Sequence, residues 1–349
     1  MLFLALLFIL ERPNLALVSV TQFSPPSSEV GMFMQQPGDI KCDDQGRLYV
    51  VDLESMVVFV WNADGSFLTH FGKKGKGPGE FWFLAQYGGA HGFISPIGDQ
   101  LYIFDAGARF MNLFGGDFRF KERKPFSLET GRVESLRMLG PDKVAINNTS
   151  FFAETPNRSV VLYSMGRKRQ SELIKVDDKS WYYTDNRQKG VLNAYCATLT
   201  MAYNEATGEI IVGHSKSPSF QVFDANGQKT DRVQFNIKRL PVDDADITEF
   251  KEEPSFKGQN FFTAKFPDFK AYYDRILPLG KDRFLVFNES PLYRNLVGYV
   301  IGRDGSVEGE FKYRCGQGGR LYGSHGRLFA ASTNNSDGDF QILELTLEK

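Results

Sequence analysis

The sequence predicts an all-β fold: a six-bladed β-propeller of four-stranded antiparallel blades, closed by an N-terminal strand. Three observations support this prediction. A pattern of four short strand-like runs separated by turn residues recurs six times along the chain. The sixth copy lacks one strand, and a strand-like segment near the N-terminus belongs to no copy. Aromatic residues make up 14% of the chain, which suits pleated, half-buried sheets.

The first copy shows the pattern most clearly. Four runs read as its strands: Asp39–Cys42, Arg47–Val51, Val57–Trp61 and Ser66–Phe71. The turns between them are rich in Asp, Asn and Gly, as in Asn62-Ala63-Asp64-Gly65. A sheet of this size cannot bury both faces alone, so it must stack against copies of itself, as propeller blades do.

Five further copies follow at similar spacing. The predicted blades span residues 37–71, 89–122, 133–176, 195–235, 271–313 and 318–345. Leu15–Phe23 is predicted to supply the missing outer strand of the sixth blade, because closing the ring removes an exposed sheet edge. Residues 15–349 are therefore predicted to form one domain, and the protein is predicted to be a monomer.

The first copy resembles an NHL-type repeat. The resemblance is carried by Asp43, Gly46, Leu48, Tyr49, Val51 and Asp52, by Asn62, Asp64 and Gly65, and by Phe71–Phe81. The whole chain resembles bacterial six-bladed propellers of the NHL/TolB-like superfamily. That resemblance implies the fold, whereas propellers of this kind include binding scaffolds, lactonases and lyases.

The N-terminus, charge and cysteines set further bounds. Residues 1–12 contain an apolar run, Leu2–Leu10, that fits the h-region of a secretory signal but has no Lys or Arg before it and no A-x-A site after it. The run is too short to span a bilayer, and a periplasmic or secreted location is slightly favoured over a cytoplasmic one. A net charge of -1 gives no bulk attraction to nucleic acid or to an anionic membrane. Cys42, Cys196 and Cys315 have no C-x-x-C spacing and are predicted to be free, buried thiols.

The loop lengths predict which face binds a ligand. If the strands of each blade are named A to D from the axis outward, the A–B and C–D turns are short. The B–C connections and the crossings to the next blade lie at the other end and are long, and Asn236–Lys270 is the longest. Long loops on a rigid scaffold are where binding residues collect. Within this loop, Val242–Glu253 is predicted to form a short helix that either shields the propeller rim or covers the axial mouth.

Five residues on this face are the predicted ligand-binding set: Arg109, Tyr195, His214, Tyr293 and Arg294. Aromatic side chains combined with arginine on a concave surface favour a peptide or a sugar. The leading hypothesis is therefore a non-catalytic scaffold that binds a protein, peptide or glycan on its long-loop face.

The alternative hypothesis is a metal-dependent hydrolase or lyase, similar to the lactonases, with a metal on the axis. Asp52, Asp105, Asn147 and Asn288 follow strand B in their copies and are predicted to surround the top of the channel, where their oxygens could bind Ca²⁺. The same residue types also bond backbone N–H groups in turns, and this structural interpretation is favoured. Only His91 and His214 can approach the face, too few for a three-histidine zinc site. No cofactor is predicted, and Ca²⁺ belongs only to this alternative.

Overall fold

The computed structural model describes residues 13–23, 34–83, 91–126, 131–150, 156–166, 169–178, 180–183, 190–252, 262–289, 295–315, 317–333 and 340–348. Within these residues the strands form six blades, and the chain has a single helix. The predicted six-bladed propeller of four-stranded antiparallel blades is confirmed.

The first three blades follow one another along the chain, each with its first strand innermost. The N-terminal strand is β1, so blade 1 consists of β2 (Pro37–Cys42), β3 (Leu48–Asp52), β4 (Val57–Trp61) and β5 (Phe67–Phe71). Blade 2 consists of β6 (Gly92–Ile97), β7 (Gln100–Asp105), β8 (Phe110–Gly115) and β9 (Phe120–Pro125). Blade 3 consists of β10 (Arg132–Met138), β11 (Lys143–Ser150), β12 (Asn157–Ser164) and β13 (Arg169–Asp177).

The last three blades complete the ring. Blade 4 consists of β16 (Leu199–Asn204), β17 (Glu209–His214), β18 (Ser219–Phe223) and β19 (Lys229–Gln234). Blade 5 consists of β21 (Arg275–Pro278), β22 (Arg283–Glu289), β23 (Asn295–Gly302) and β24 (Val307–Arg314). Blade 6 consists of β25 (Gln317–Ser324), β26 (Arg327–Thr333), β27 (Phe340–Glu348) and β1 (Asn14–Phe23).

The N-terminal strand closes the propeller as the sequence predicts. β1 pairs antiparallel with β27, from Ala16↔Glu348 to Phe23↔Ile342. Its first two residues also pair in parallel with β24 of blade 5, so blades 5 and 6 form one eight-stranded sheet. The Phe23 ring is 1% exposed and contacts the rings of Trp61 and Phe329. β1 therefore joins blade 5, blade 6 and blade 1.

Local side-chain chemistry explains the recurring turn. In blade 1 the Asp43 carboxylate accepts hydrogen bonds from the backbone N–H groups of Gln45 and Arg47 (3.0 and 2.9 Å) and from the Tyr49 hydroxyl (2.8 Å). Gly46 has a φ of 80°, a conformation that favours glycine. The spacing of Asp, Gly and Tyr in the repeat is therefore the spacing that one hairpin turn needs.

Blade stacking explains the core. β3 and β4 are buried at every residue, because both faces of the blade pack against neighbouring blades. The outer strands β5 and β9 are only partly buried. The core is thus a set of apolar layers between blades, and one such layer contains Tyr49, Phe81 and Phe83.

Two long connections fold in a way that the sequence did not predict. Instead of irregular loops, residues 177–193 and 236–270 contribute a three-stranded sheet of β14 (Trp181–Tyr183), β15 (Gly190–Asn193) and β20 (Phe262–Lys265). β15 and β20 pair in parallel although the chain separates them widely, so local patterns do not reveal the pairing.

The helix predicted in the longest connection is present as α1 (Asp244–Glu252). The Asp243 carboxylate accepts a hydrogen bond from the N–H of Asp246 at 2.9 Å and caps the helix. Phe250 packs against the rings of Tyr195 and Phe266. The helix contributes no residue to the described lining of the axial channel, in agreement with the shielding interpretation.

Candidate functional site

Strand pairing fixes which loops share a face. The first residue of β2 pairs with the last residue of β3, Pro37↔Asp52, and Gly92 pairs with Asp105 in blade 2. The start of strand A and the end of strand B therefore lie at the same end of each blade. The connections between blades and the B–C connections emerge at this end, which we call the long-loop face.

A channel of about 1100 Å³ runs along the axis between the innermost strands. Every blade contributes to its wall: Asp39 and Lys41 from β2, Phe93 from β6, Arg132, Glu134 and Arg137 from β10, Thr200 and Tyr203 from β16, Arg275 from β21, and Arg320 and Tyr322 from β25. His91, Arg158, Asp274 and Glu289 lie on the wall where strands begin or end at the long-loop face. The channel therefore leads from that face into the ring.

The charges on the described channel wall nearly cancel. Six cationic side chains, Lys41, Arg132, Arg137, Arg158, Arg275 and Arg320, face five acidic ones, Asp39, Glu134, Glu205, Asp274 and Glu289. Four ion pairs connect them: Lys41–Asp39 at 3.3 Å, Arg132–Glu134 at 2.8 Å, Arg137–Glu205 at 3.2 Å and Arg275–Glu289 at 3.4 Å. Such a wall offers donors and acceptors side by side without a strong net field.

A cluster of buried polar side chains lies where blades 3 and 4 meet at the channel. The Arg137 and Glu205 side chains are 6% and 9% exposed, and the guanidinium lies over the Tyr203 ring, 5.7 Å from its centroid. Nε and Nη1 of Arg137, Oγ of Ser135 and Oδ1 of Asn147 are buried without a hydrogen-bond partner. Buried polar groups are normally paired, so this cluster is costly to the fold.

Asp274 sits at the channel wall where blade 5 begins. Its carboxylate accepts a hydrogen bond from the backbone N–H of Glu289 at 3.1 Å. Burial raises the pKa of Asp274 from 3.8 to about 7, and the neighbouring Glu289 carboxylate adds to the rise. The pKa of this carboxyl therefore lies near neutral pH.

His91 lies on the channel wall just before blade 2. Its ring stacks on Phe93 with centroids 6.3 Å apart, and its Nε2 has no hydrogen-bond partner. Burial, and then the positive charge of Arg132, lower the pKa of His91. The imidazole is therefore a neutral group in the channel.

A second cavity, the off-axis pocket, opens beside the channel on the long-loop face. Its volume is about 620 Å³. The pocket lies between the end of blade 3, the start of blade 4 and the chain that enters blade 5, and its lining includes Tyr195, Cys196, His214, Lys216, Arg239 and Phe266. Two of the five predicted ligand-binding residues, Tyr195 and His214, thus lie together in one cavity.

The other three predicted ligand-binding residues are not part of this cavity. Arg109 lies in the B–C turn of blade 2 with a φ of 58°, and its carbonyl accepts a hydrogen bond from the N–H of Phe126. It lines neither cavity. Tyr293 and Arg294 lie outside the described residues.

The two predicted aspartate metal ligands are bound to backbone groups. Asp52 accepts hydrogen bonds from the N–H groups of Gln35, Gln36, Glu54 and Ser55 at 2.7 to 3.1 Å, and from the Ser55 hydroxyl. Asp105 accepts from the N–H groups of Trp82 and Ala108. Both side chains are fully buried. These are the bonds that the structural interpretation of the two positions expects.

The two predicted asparagine ligands also bond to the backbone. Asn147 donates to the carbonyl of Leu199 at 3.0 Å, and Asn288 donates to that of Tyr272 at 3.3 Å. Of the four candidate ligands, Asn147 is among the channel-lining residues, whereas Asp52, Asp105 and Asn288 are not. No group of three or more His, Cys, Asp and Glu side chains in the described part of the chain is arranged to hold a metal ion.

The structure also brings forward residues that the sequence reasoning missed. Arg132, Glu134 and Arg137 share an innermost strand, and Glu205 and Asp274 complete the charged wall. The sequence contains a signal for this wall, because the innermost strand of blade 3 carries three charged residues. Charged residues are seldom buried, so such a strand indicates a polar channel.

The described chain contains free cysteines and no membrane-spanning helix. Cys42, Cys196 and Cys315 are all free, with Cys196 half-buried and the other two buried. No described helix has the length and apolar character to cross a membrane. The apolar residues 1–12 lie outside the described chain.

Comparisons with known proteins agree on the fold. The model of the DUF5128 family, described as a 6-bladed beta-propeller, matches residues 31–136. A comparison with curated proteins finds no match. A crystal structure of a DUF4221 family member from Bacteroides vulgatus aligns with a TM-score of 0.61 and 10% identity, over 97% of this chain and 100% of that chain.

Two further solved structures are similar. A putative exported protein from Bacteroides fragilis aligns with a TM-score of 0.57 and 12% identity, over 96% of each chain. Regucalcin, a calcium-binding protein from Agrobacterium tumefaciens, aligns with a TM-score of 0.47 and 10% identity, over 95% of this chain and 96% of that chain. At identities of 10% and 12% the likeness to the two Bacteroides proteins concerns the fold alone. The description of the matching family model and the six blades of the structure identify the chain as a six-bladed β-propeller.

Proposed function

We propose that this protein is a non-catalytic binding propeller that takes an uncharged glycan into its axial channel from the long-loop face. The observation that carries the proposal is the balance of charge on the channel wall, where six cationic side chains face five acidic ones. A strongly charged ligand gains little from such a wall, because its attraction to one sign is offset by repulsion from the other.

The ion pairs of the wall suit the hydroxyl groups of a sugar. Each sugar hydroxyl both donates and accepts a hydrogen bond, and a pair such as Arg132–Glu134 presents donors and acceptors side by side. Hydrogen bonds to charged groups are stronger than those between neutral groups. A neutral polyhydroxylated ligand therefore gains from both partners of each pair.

Aromatic side chains supply the apolar part of the site. Phe93, Tyr203, Tyr322 and Phe340 line the same channel. Binding sites for small molecules combine apolar and aromatic walls with a few fixed polar groups, and the volume of about 1100 Å³ is enough for an oligosaccharide. The aromatic faces would contact the C–H faces of sugar rings.

The test is a binding screen on the full chain. Neutral tetrasaccharides, an oligogalacturonate and uncharged tetrapeptides would be screened by saturation-transfer NMR, and the dissociation constant of each hit measured by calorimetry. We expect a neutral tetrasaccharide to bind. Arg132→Gln should weaken that binding by about 10-fold or more, the loss of a hydrogen bond to a charged group.

Arg119→Gln is the matched control. Arg119 lies in a C–D turn on the opposite face and its side chain is 87% exposed, so this change should leave binding intact. Preferential binding of the acidic oligosaccharide or of the peptides, or no binding across the panel, would overturn the proposal. Release of shorter sugars after addition of CaCl₂ or ZnCl₂ would instead support the metal-dependent alternative.

A further inference from the structure

The off-axis pocket differs from the channel in its charge. Its described lining includes three cationic side chains, Lys216, Arg239 and Lys265, and one acidic side chain, Asp177. No carboxylate of the described residues pairs with Lys216 or Arg239. The described lining of the pocket is therefore cationic, whereas most cations of the channel wall are ion-paired.

Arg239 is held in place by the backbone around it. Its Nε donates to the carbonyl of Lys270 and its Nη2 to that of Phe269, each at 2.7 Å. The guanidinium also lies over the rings of Phe269 and Tyr272, with centroids at 5.6 and 5.9 Å. The carbonyls fix the position of the side chain without neutralising its charge, so little rotamer freedom remains to be lost on binding.

The rest of the pocket lining is largely apolar. Val176, Ala194, Ala197, Phe266, Pro267 and Ala271 contribute to it. A volume of about 620 Å³ lies within the range of small-molecule sites. The pocket thus combines room for an apolar body with cationic groups for an anionic head.

Tyr195 ties the pocket to α1. It has a φ of 55°, a backbone conformation that is rare for a residue other than glycine. Its hydroxyl donates to the carbonyl of Asp246 at 3.1 Å, its ring contacts Phe250, and the Lys270 ammonium lies 5.2 Å from the ring centroid. Lys270 in turn pairs with Asp246 at 2.6 Å. These contacts hold α1 to the pocket-lining chain, so the wall around Tyr195 is preformed.

We infer that the off-axis pocket binds a small carboxylic acid with an apolar body, its carboxylate near Lys216 and Arg239 and its body against the apolar lining. This inference is independent of the glycan proposed for the channel. His214, which follows strand B of blade 4, lies on the same wall and offers an imidazole to the carboxylate.

Two probes that differ only in the head group test the inference. The affinities of 4-phenylbutyrate and 4-phenylbutan-1-ol for the full chain would be measured by calorimetry at low and high NaCl concentration. We expect the acid to bind about 10-fold more tightly than the alcohol at low salt. High salt should reduce this preference, because the field of surface cations is screened.

Charge-removing variants locate the site. Lys216 is exposed and forms no hydrogen bond or ion pair with the described residues, so Lys216→Gln should weaken binding of the acid by about 3- to 5-fold and leave binding of the alcohol unchanged. Lys216→Gln combined with Lys265→Gln should weaken binding of the acid further. Lys281→Gln is the matched control, because Lys281 is exposed in the A–B turn of blade 5 on the opposite face, and it should change neither affinity.

Three results would overturn the inference. They are equal affinity of the acid and the alcohol, absence of saturable binding of the acid, and an unchanged acid affinity in the double variant. The channel variant Arg132→Gln should leave acid binding unchanged, so the two proposals succeed or fail separately. Circular dichroism of each variant would establish that its fold is retained.

Discussion

Replacing Asp274 by asparagine should stabilise the protein at alkaline pH. Asp274 is half-buried at the channel wall, and desolvation raises the pKa of its carboxyl from 3.8 to about 7. Between these two pH values the folded protein holds a proton that the unfolded chain has lost. The stability that the protonated Asp274 carboxyl contributes is therefore fully present below the unfolded pKa of 3.8. It falls as the pH rises and is lost once the pH has passed the folded pKa of about 7.

The magnitude follows from the size of the pKa change. Each pKa unit corresponds to about 1.4 kcal/mol, so the full change corresponds to about 4 kcal/mol. The carboxyl is partly accessible from the channel, and water there lowers the cost of ionisation. We therefore expect Asp274→Asn to raise the free energy of unfolding at pH 8 by about 2 to 4 kcal/mol. Asparagine keeps an oxygen that can accept the hydrogen bond from the Glu289 N–H.

The assay is urea denaturation of the wild-type and Asp274→Asn proteins at a series of pH values from about 4 to 9. The difference between the two proteins is the quantity to follow, because His91 acts in the opposite direction. The pKa of His91 is lowered from 6.5, so the stability that the neutral imidazole contributes is lost in both proteins as the pH falls below 6.5. The difference should therefore isolate the carboxyl and grow with pH.

Asp99→Asn is the control, since Asp99 is exposed in the A–B turn of blade 2 and its replacement should leave the pH profile unchanged. A constant difference between wild type and Asp274→Asn at every pH would refute the reasoning. The same holds if the variant is less stable above pH 7, because the ionised carboxylate would then be the favoured form.

Two further predictions concern the architecture. Phe23→Ala in the closing strand should cost about 3 to 5 kcal/mol of unfolding free energy, as expected for a fully buried Phe. Phe269→Ala, at a ring that is 47% exposed, should cost less than about 1 kcal/mol, and equal losses would contradict the role of Phe23 in closure. Asp52→Asn should cost about 3 kcal/mol, because an amide replaces an oxygen that accepts two backbone N–H groups. If Asp52 serves the turn, Ca²⁺ and chelators should leave the wild-type Tm unchanged, whereas a Ca²⁺-dependent Tm that is lost in Asp52→Asn would support the metal site.

The candidate site was predicted only in part. Of the five predicted ligand-binding residues, Tyr195 and His214 line one cavity on the long-loop face, and their role in binding stays a prediction. The charged channel wall was missed, because its charged residues come from every blade and meet only when the ring closes. Arg137 and Glu205 meet across blades 3 and 4, and no local pattern relates two residues at that separation.

The sequence by itself determined the blade, its repetition and its closure. Asp43 and Gly46 form a hairpin turn through bonds to residues within six positions, and Asp243 caps α1 through a bond to the third residue after it. Such interactions are local, so the order of residue types predicts them. The sequence also predicted that Leu15–Phe23 pairs with the sixth blade, because without this pairing the ring would expose sheet edges.

Only the tertiary structure decided what the axis and the long-loop face contain. The raised pKa of Asp274, the unpaired atoms of Arg137 and the cationic off-axis pocket depend on groups brought together by the stacking of six blades. In the structure the Asp52 oxygens accept hydrogen bonds from backbone N–H groups, whereas the sequence left open whether they bond a turn or a metal ion. Hairpin chemistry acts over a few residues, whereas burial and electrostatic fields depend on every neighbour in space.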